Sequence, residues 1–146
     1  MKTRFLMLGS YSVAMALVEA AVVVYLRALY AASPIGLVTR FSNPIYRVEI
    51  AREAATIIMI VAVGYLAFKQ VRYRILAFLW VFSVWDIFYY VFLKLILGWP
   101  ASPRTLDVLF LIPVPWVSPV WFPLGVSSLV LVTTSILFVW ERSRLS

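Results

Sequence analysis

The sequence predicts an all-α polytopic membrane protein, with four transmembrane helices and a Pro-rich segment before the last of them. Of its 146 residues, 64% are hydrophobic and only 13% are charged, and the mean hydropathy is +1.00. A soluble domain of this length would have too little polar surface to cover itself. The length allows a single transmembrane domain, residues 1–146, with about four spans.

A second observation is the stretch from Trp80 to Trp99, which is apolar and aromatic except for Asp86 and Lys94. As a helix it would be about 28 Å long, which is close to the ~30 Å thickness of a bilayer's hydrocarbon core. Tryptophan favours the membrane–water boundary because its ring is apolar while its N–H needs a polar partner. The stretch therefore predicts a transmembrane helix with an anchor at each end.

The first three spans follow from runs of apolar residues separated by turn signals. The first covers about residues 5–30, and its only charged residues are Glu19 and Arg27. A loop over residues 31–46 holds two prolines, a glycine and an asparagine, all of which favour turns. The second span covers about residues 48–68, and a short basic turn leads to the third, at about residues 75–97.

The predicted outer segment, residues 98–123, is rich in proline. Its part from Leu109 to Pro123 is apolar yet contains four prolines, which remove hydrogen-bond donors and break regular helices. Non-helical backbone is tolerated at membrane depth only where protein or water covers it. We therefore expect an interfacial or shallow re-entrant segment before the fourth span, at about residues 121–140. As a rigid apolar surface, it is also the candidate for docking a partner, through Pro113, Pro115, Trp116, Pro119 and Trp121.

The distribution of lysine and arginine predicts the orientation. The side with both chain ends holds one acid, Glu141, and seven bases, namely Lys2, Arg4, Lys69, Arg72, Arg74, Arg142 and Arg144. The positive-inside rule then places both termini in the cytoplasm. We expect an integral protein of the bacterial cytoplasmic (inner) membrane.

Charged residues inside the spans form a candidate polar network or ligand pocket. Glu19 and Arg27 share a face of the first span, and Asp86 and Lys94 have the same spacing in the third. Charges at membrane depth almost always face the bundle interior and pair. The candidate network consists of Glu19, Arg27, Glu49, Arg52, Glu53, Asp86, Tyr90 and Lys94.

Specific pairings follow from the expected heights of these residues. Arg27 and Lys94 should meet Glu49 and Glu53. Glu19 and Asp86 should lie deeper, with Tyr89 or Tyr90 as hydroxyl partners.

Composition also disfavours several classes of site. The chain has neither cysteine nor histidine, so haem, zinc, iron–sulfur and dinuclear iron centres lack their usual ligands. We predict no cofactor and no metal, although a bound lipid or quinone fits the composition. The net charge of +7 comes from bases in loops and at helix ends, where they face lipid headgroups rather than nucleic acid.

The small extramembrane mass favours an accessory or structural subunit of a larger membrane complex, with other integral-membrane subunits and the bilayer as partners. The alternative is a membrane-embedded enzyme or carrier that binds an amphiphile, such as a lipid headgroup or a quinone, in an outward-facing polar pocket. Carboxylate catalysis with Mg²⁺ or Ca²⁺ and a proton path along Glu19, Asp86 and Tyr90 are further readings of the same residues.

Overall fold

The computed structural model describes residues 2–30 and 44–144, which are mostly helical. The helices are α1 (Lys2–Tyr30), α2 (Pro44–Ala67), α3 (Val71–Leu97) and α4 (Trp121–Arg144), and strands β1 (Leu106–Phe110) and β2 (Trp116–Pro119) lie between α3 and α4. All four helices are long and apolar enough to cross a membrane. Residues 31–43 of the loop predicted at 31–46 lie outside the described residues. The last three residues of that predicted loop belong to α2, which begins at Pro44.

Helix α3 is the centre of the bundle. The other three helices all pack on it, whereas α1 and α2 make little direct contact with each other. Ala77, Val81 and Leu93 of α3 are completely buried. The chain is therefore organised around the helix that contains most of the Trp80–Trp99 stretch.

Trp80 does not anchor an end of this helix, contrary to the sequence prediction. Helix α3 begins at Val71 rather than near residue 75, which places Trp80 well inside it. The indole N–H of Trp80 donates to the Ser135 hydroxyl of α4 at 3.2 Å, and its ring meets Phe5 of α1 edge-on at 5.5 Å. Trp80 thus joins three helices instead of facing the membrane boundary.

A cluster of aromatic rings fills the half of the bundle nearest the chain ends. Phe138 of α4 meets Phe5 edge-on, with ring centroids 4.5 Å apart. It also stacks on Phe68 at 5.9 Å and on Tyr73 at 6.2 Å. This half is closed by packing because offset and edge-to-face rings fit together without voids.

The Pro-rich segment forms a β-hairpin, which is the element that the all-α prediction lacks. The antiparallel strands pair Leu106 with Pro119 and Asp107 with Ser118, and the register shifts after Val108. Two bonds close its base: Val120 N–H donates to the Thr105 carbonyl at 3.0 Å, and Trp121 N–H donates to the Pro103 carbonyl at 2.9 Å. The prolines lie in the turn and at the end of β2, where a missing N–H is tolerated.

This hairpin runs back along α3 instead of pointing away from the bundle. The Tyr90 hydroxyl donates to Asp107 near its base at 3.0 Å, and Phe110 near its turn stacks on Phe82 at 6.1 Å. Phe82 is about 22 Å from the end of α3 at the helical rise. The turn of the hairpin therefore lies beside the middle of α3.

We predict that Gly64→Leu destabilises the bundle by about 1–3 kcal/mol through overpacking, whereas Gly125→Leu has little effect. A side chain at Gly64 of α2 would meet the Arg74 carbonyl of α3 at 3.2 Å, while nothing lies within 4 Å of a side chain at Gly125 of α4. Reversible unfolding in mixed micelles measures both free energies. Equal losses for the two variants would contradict close packing of α2 on α3.

Candidate functional site

A cavity of about 310 Å³ lies between the helices and the hairpin, in the half of the bundle away from the chain ends. Five carboxylates but only two guanidinium groups line it, namely Glu19, Glu49, Glu53, Asp86, Asp107, Arg27 and Arg52. The remaining lining is largely apolar, with aromatic rings from α3, the hairpin and α4. The lining of the cavity thus combines carboxylates with aromatic rings.

Arg52 of α2 forms the ion pairs among the described residues. Its guanidinium binds Glu19 of α1 and, at 2.8 Å, Glu49 of its own helix. The buried Thr56 hydroxyl also donates to Glu19. Glu19 is therefore held by one cation and one hydroxyl, as a buried carboxylate requires.

Glu53 of α2 holds the hairpin turn rather than a cation. The N–H of Leu111 donates to its carboxylate, at 2.9 Å to one oxygen and 3.1 Å to the other. Glu53 is 9% exposed. Its carboxylate supplies the acceptor that this backbone N–H needs at a point where neither strand provides one.

Asp86 of α3 and Asp107 of β1 each accept a hydrogen bond from a neutral hydroxyl. Ser127 of α4 donates to Asp86 at 2.7 Å, and Tyr90 of α3 donates to Asp107 at 3.0 Å. Burial raises the pKa of Asp107, although the bonds from Tyr90 and the Val108 N–H and the charge of Arg27 act in the opposite direction. Neither aspartate has an arginine or lysine nitrogen within 4 Å in the described part of the chain.

Arg27 and Trp85 line the cavity, and each has a buried N–H group without a hydrogen-bond acceptor among the described residues. The Arg27 guanidinium lies over the ring of Trp99, 4.1 Å from its centroid. Within residues 2–30 and 44–144, neither the buried Nε–H of Arg27 nor the buried indole N–H of Trp85 has an acceptor. Trp85 is only 9% exposed and lines the cavity.

Seven of the eight residues predicted for the polar network line this one cavity, and Lys94 does not. Lys94 is exposed and donates to the carbonyls of Gly98 at 3.0 Å and Pro100 at 2.8 Å, so it caps the end of α3. Gly98 there has φ +67°, a left-handed conformation that favours glycine.

The predicted pairings are wrong in detail. Arg27 and Lys94 do not meet Glu49 and Glu53, because Arg52 takes Glu49 and the Leu111 N–H takes Glu53. Glu19 and Asp86 do bind hydroxyls, but those of Thr56 and Ser127 rather than of Tyr89 or Tyr90.

Sequence reasoning missed four residues of the site. Asp107 carried one usable signal, since it is a lone acid at the start of an apolar Pro-rich run. Thr56, Ser127 and Trp85 carried none, because hydroxyls and indoles are common in transmembrane helices for packing reasons.

The predicted docking residues divide between the surface and the site. Pro113, Trp116 and Trp121 are exposed and the other two prolines are partly buried, while Trp116 also lines the cavity. In the described ranges, no three Asp or Glu side chains are grouped to hold a metal ion. Comparison of the chain with protein-family models, with curated proteins and with solved structures finds no match.

We predict that Arg52→Met lowers the free energy of unfolding by about 3 kcal/mol or more, because it leaves Glu19 buried without its cation. The double variant Glu19→Gln/Arg52→Met should regain most of that loss. Arg47→Met, at an exposed position of the same helix, is the matched control. Unfolding in mixed micelles measures all three, and an Arg52→Met protein as stable as the control would contradict a structural role for the pair.

Proposed function

We propose that this protein is a membrane-embedded enzyme or carrier that binds an amphiphilic small molecule, such as a lipid or a quinone, in the cavity. The observation that carries this proposal is that Glu53, Asp86 and Asp107 line a cavity without an ion-pair partner among the described residues. These carboxylates would meet the headgroup, and the apolar side chains of the lining would meet the apolar part.

The free-energy cost of burying these carboxylates favours a ligand-binding site over a purely structural network. Acids in membrane helices are expensive to bury, and they commonly mark substrate or ion pathways. The ion pair of Glu19 with Arg52 and the hydrogen bond from Thr56 to Glu19 already join α1 to α2. A network whose only task was helix registration would not need the open volume beside these carboxylates.

The composition and size of the cavity also fit a small amphiphile. Ligand sites are usually concave, mostly apolar and equipped with a few convergent polar groups, and their volumes begin at about 300 Å³. Phe82, Trp85 and Phe122 provide apolar walls. Carboxyl groups can also transfer protons as general acids or bases. An enzyme would convert the bound compound, whereas a carrier would release it unchanged.

We further propose that the cavity belongs to the outer half of a bacterial cytoplasmic membrane, with both termini in the cytoplasm. The bias of lysine and arginine toward the end with the chain termini supports this orientation. In this arrangement the hairpin is re-entrant, and Glu53 satisfies a backbone N–H of its turn at membrane depth, where no water would do so.

A second candidate function, an accessory subunit of a membrane complex, is favoured by the surface of the hairpin. Val114, Trp116 and Val117 are exposed by 59%, 53% and 49%. An apolar, proline-stiffened surface loses little entropy when it docks against another membrane protein. One purification tests both candidates, because native mass spectrometry detects bound small molecules and bound subunits alike.

We predict that protein purified in mild detergent carries an amphiphile that Val23→Trp excludes and Val18→Trp retains. Val23 lines the cavity, whereas Val18 is a 64% exposed residue of the same helix outside the lining. Native mass spectrometry measures occupancy. An empty wild-type protein that is always accompanied by other subunits would replace the pocket hypothesis with the accessory one.

We predict that Ser102→Cys reacts with an impermeant maleimide in intact cells, whereas Gln70→Cys reacts only after lysis. The chain has no cysteine of its own, and both positions are exposed at opposite ends of α3. The reverse pattern would invert the proposed topology.

A further inference from the structure

We infer that the end of the bundle with the chain termini binds the headgroup of an anionic phospholipid. Its basic cluster consists of Arg4 of α1, Lys69 of the turn between α2 and α3, and Arg74 of α3. The cluster lies in the opposite half of the bundle from the cavity, and its ligand is independent of the compound that the cavity binds. A lipid with two phosphates and no amine, such as cardiolipin, matches several positive charges better than a zwitterionic lipid does.

Phe68, at the end of α2, brings the three cations together. The Arg4 guanidinium lies over its ring, 5.6 Å from the centroid. The Nε–H of Arg74 donates to its backbone carbonyl at 2.7 Å, and Lys69 is the next residue in the chain. Phe68 is itself buried and stacks on Phe138 of α4 at 5.9 Å. The cluster therefore has a rigid base to which three helices contribute.

The cluster lies where three candidate membrane spans begin or end. Helices α2 and α3 are joined by residues 68–70 alone, and a connection this short between two spans stays at the bilayer surface. Arg4 and Lys69 are exposed there, and Arg74 is half-buried with its guanidinium 3.5 Å from the centroid of the Tyr65 ring. The cations are therefore at the depth of lipid headgroups.

The chain itself does not neutralise this end of the bundle. Five of its six acids line the cavity in the other half. The sixth, Glu141, is a single negative charge against seven bases at the end with the termini. Among the described side chains, no ion pair involves Arg4, Lys69 or Arg74. A neutralising anion therefore has to come from outside the chain.

The N-terminus of α3 adds partial positive charge beside the same turn. Its N-cap residue, Gln70, makes no capping hydrogen bond with its side chain, and the first turn of the helix contains no acid. Backbone N–H groups at a helix N-terminus attract anions, phosphate in particular. The backbone therefore favours the same sign of ligand charge as the basic side chains do.

Apolar side chains beside the cluster favour a lipid over a free phosphate as the source of this anion. Leu6, Leu66 and Val71 are exposed, and they lie within three residues of a member of the cluster. They would contact acyl chains while the cations contact the headgroup above them. Arginine also suits phosphate, since its planar guanidinium can donate to two oxygens of one group.

The test measures lipid adducts of the purified protein in mild detergent by native mass spectrometry. The probes are cardiolipin, phosphatidylglycerol and phosphatidylcholine with matched acyl chains. We expect phosphatidylglycerol to bind about fivefold more weakly than cardiolipin, and phosphatidylcholine about fivefold more weakly again, because each contact of a base with an anionic lipid contributes about that factor. Equal affinity for the three lipids would overturn the inference, and this comparison needs no variant.

A pair of double variants identifies the groups responsible. Arg4→Gln/Lys69→Gln removes two exposed charges of the cluster and should weaken cardiolipin about twentyfold. Arg47→Gln/Arg104→Gln removes two exposed charges at the other end of the bundle and should change its affinity by no more than about twofold, since distant charges are screened. Val23→Trp, in the cavity, should leave cardiolipin binding unchanged. Equal losses for the two double variants would show unspecific attraction and overturn the site.

Two further outcomes would replace the lipid with another anion. Displacement of cardiolipin from the wild-type protein by an excess of inorganic phosphate would identify a site for free phosphate. An acidic protein that co-purifies with the wild type and is lost from Arg4→Gln/Lys69→Gln, without any ranking among the lipids, would identify a protein partner.

Discussion

The bundle depends on one guanidinium group placed between two helices that barely touch. Helices α1 and α2 pack on α3 rather than on each other, and Arg52 connects them by binding Glu19 and Glu49. Because breaking one half of a buried pair exposes the other half to an apolar medium, this connection tolerates little adjustment. It also fixes the gap between α1, α2 and α3 that becomes the cavity.

The two halves of the bundle have different chemistry for a physical reason. Rings of Phe5, Phe68 and Phe138 close the half nearest the chain ends, and the Trp80–Ser135 hydrogen bond joins α3 to α4 there. In the other half a hairpin lies beside the helices and prevents the same closure. Backbone groups of the hairpin need acceptors, and helix residues such as Glu53 and Tyr90 provide partners for it. The helices are therefore joined by ring contacts at one end and by ion pairs and hydrogen bonds around an open volume at the other.

The sequence was sufficient for the helices because hydropathy and length alone mark spans of this kind. It was also sufficient to predict seven residues that line one cavity. Charged side chains at similar depth in apolar helices face the interior of the bundle, where they lie close together. It was insufficient for their pairings, which depend on helix rotation and on the hairpin. That hairpin consists of strands of five and four residues among prolines that usually argue against strands. Asp107 was missed with it, and Trp80 was misplaced because α3 begins earlier than its apolar run.

The hairpin and the cavity share two carboxylates, those of Glu53 and Asp107. Glu53 holds the turn and Asp107 holds the base, so any group that enters between them meets oxygens that already have protein partners. The hairpin is therefore a wall of the cavity, and it is held in place through two of the carboxylates that line the same cavity.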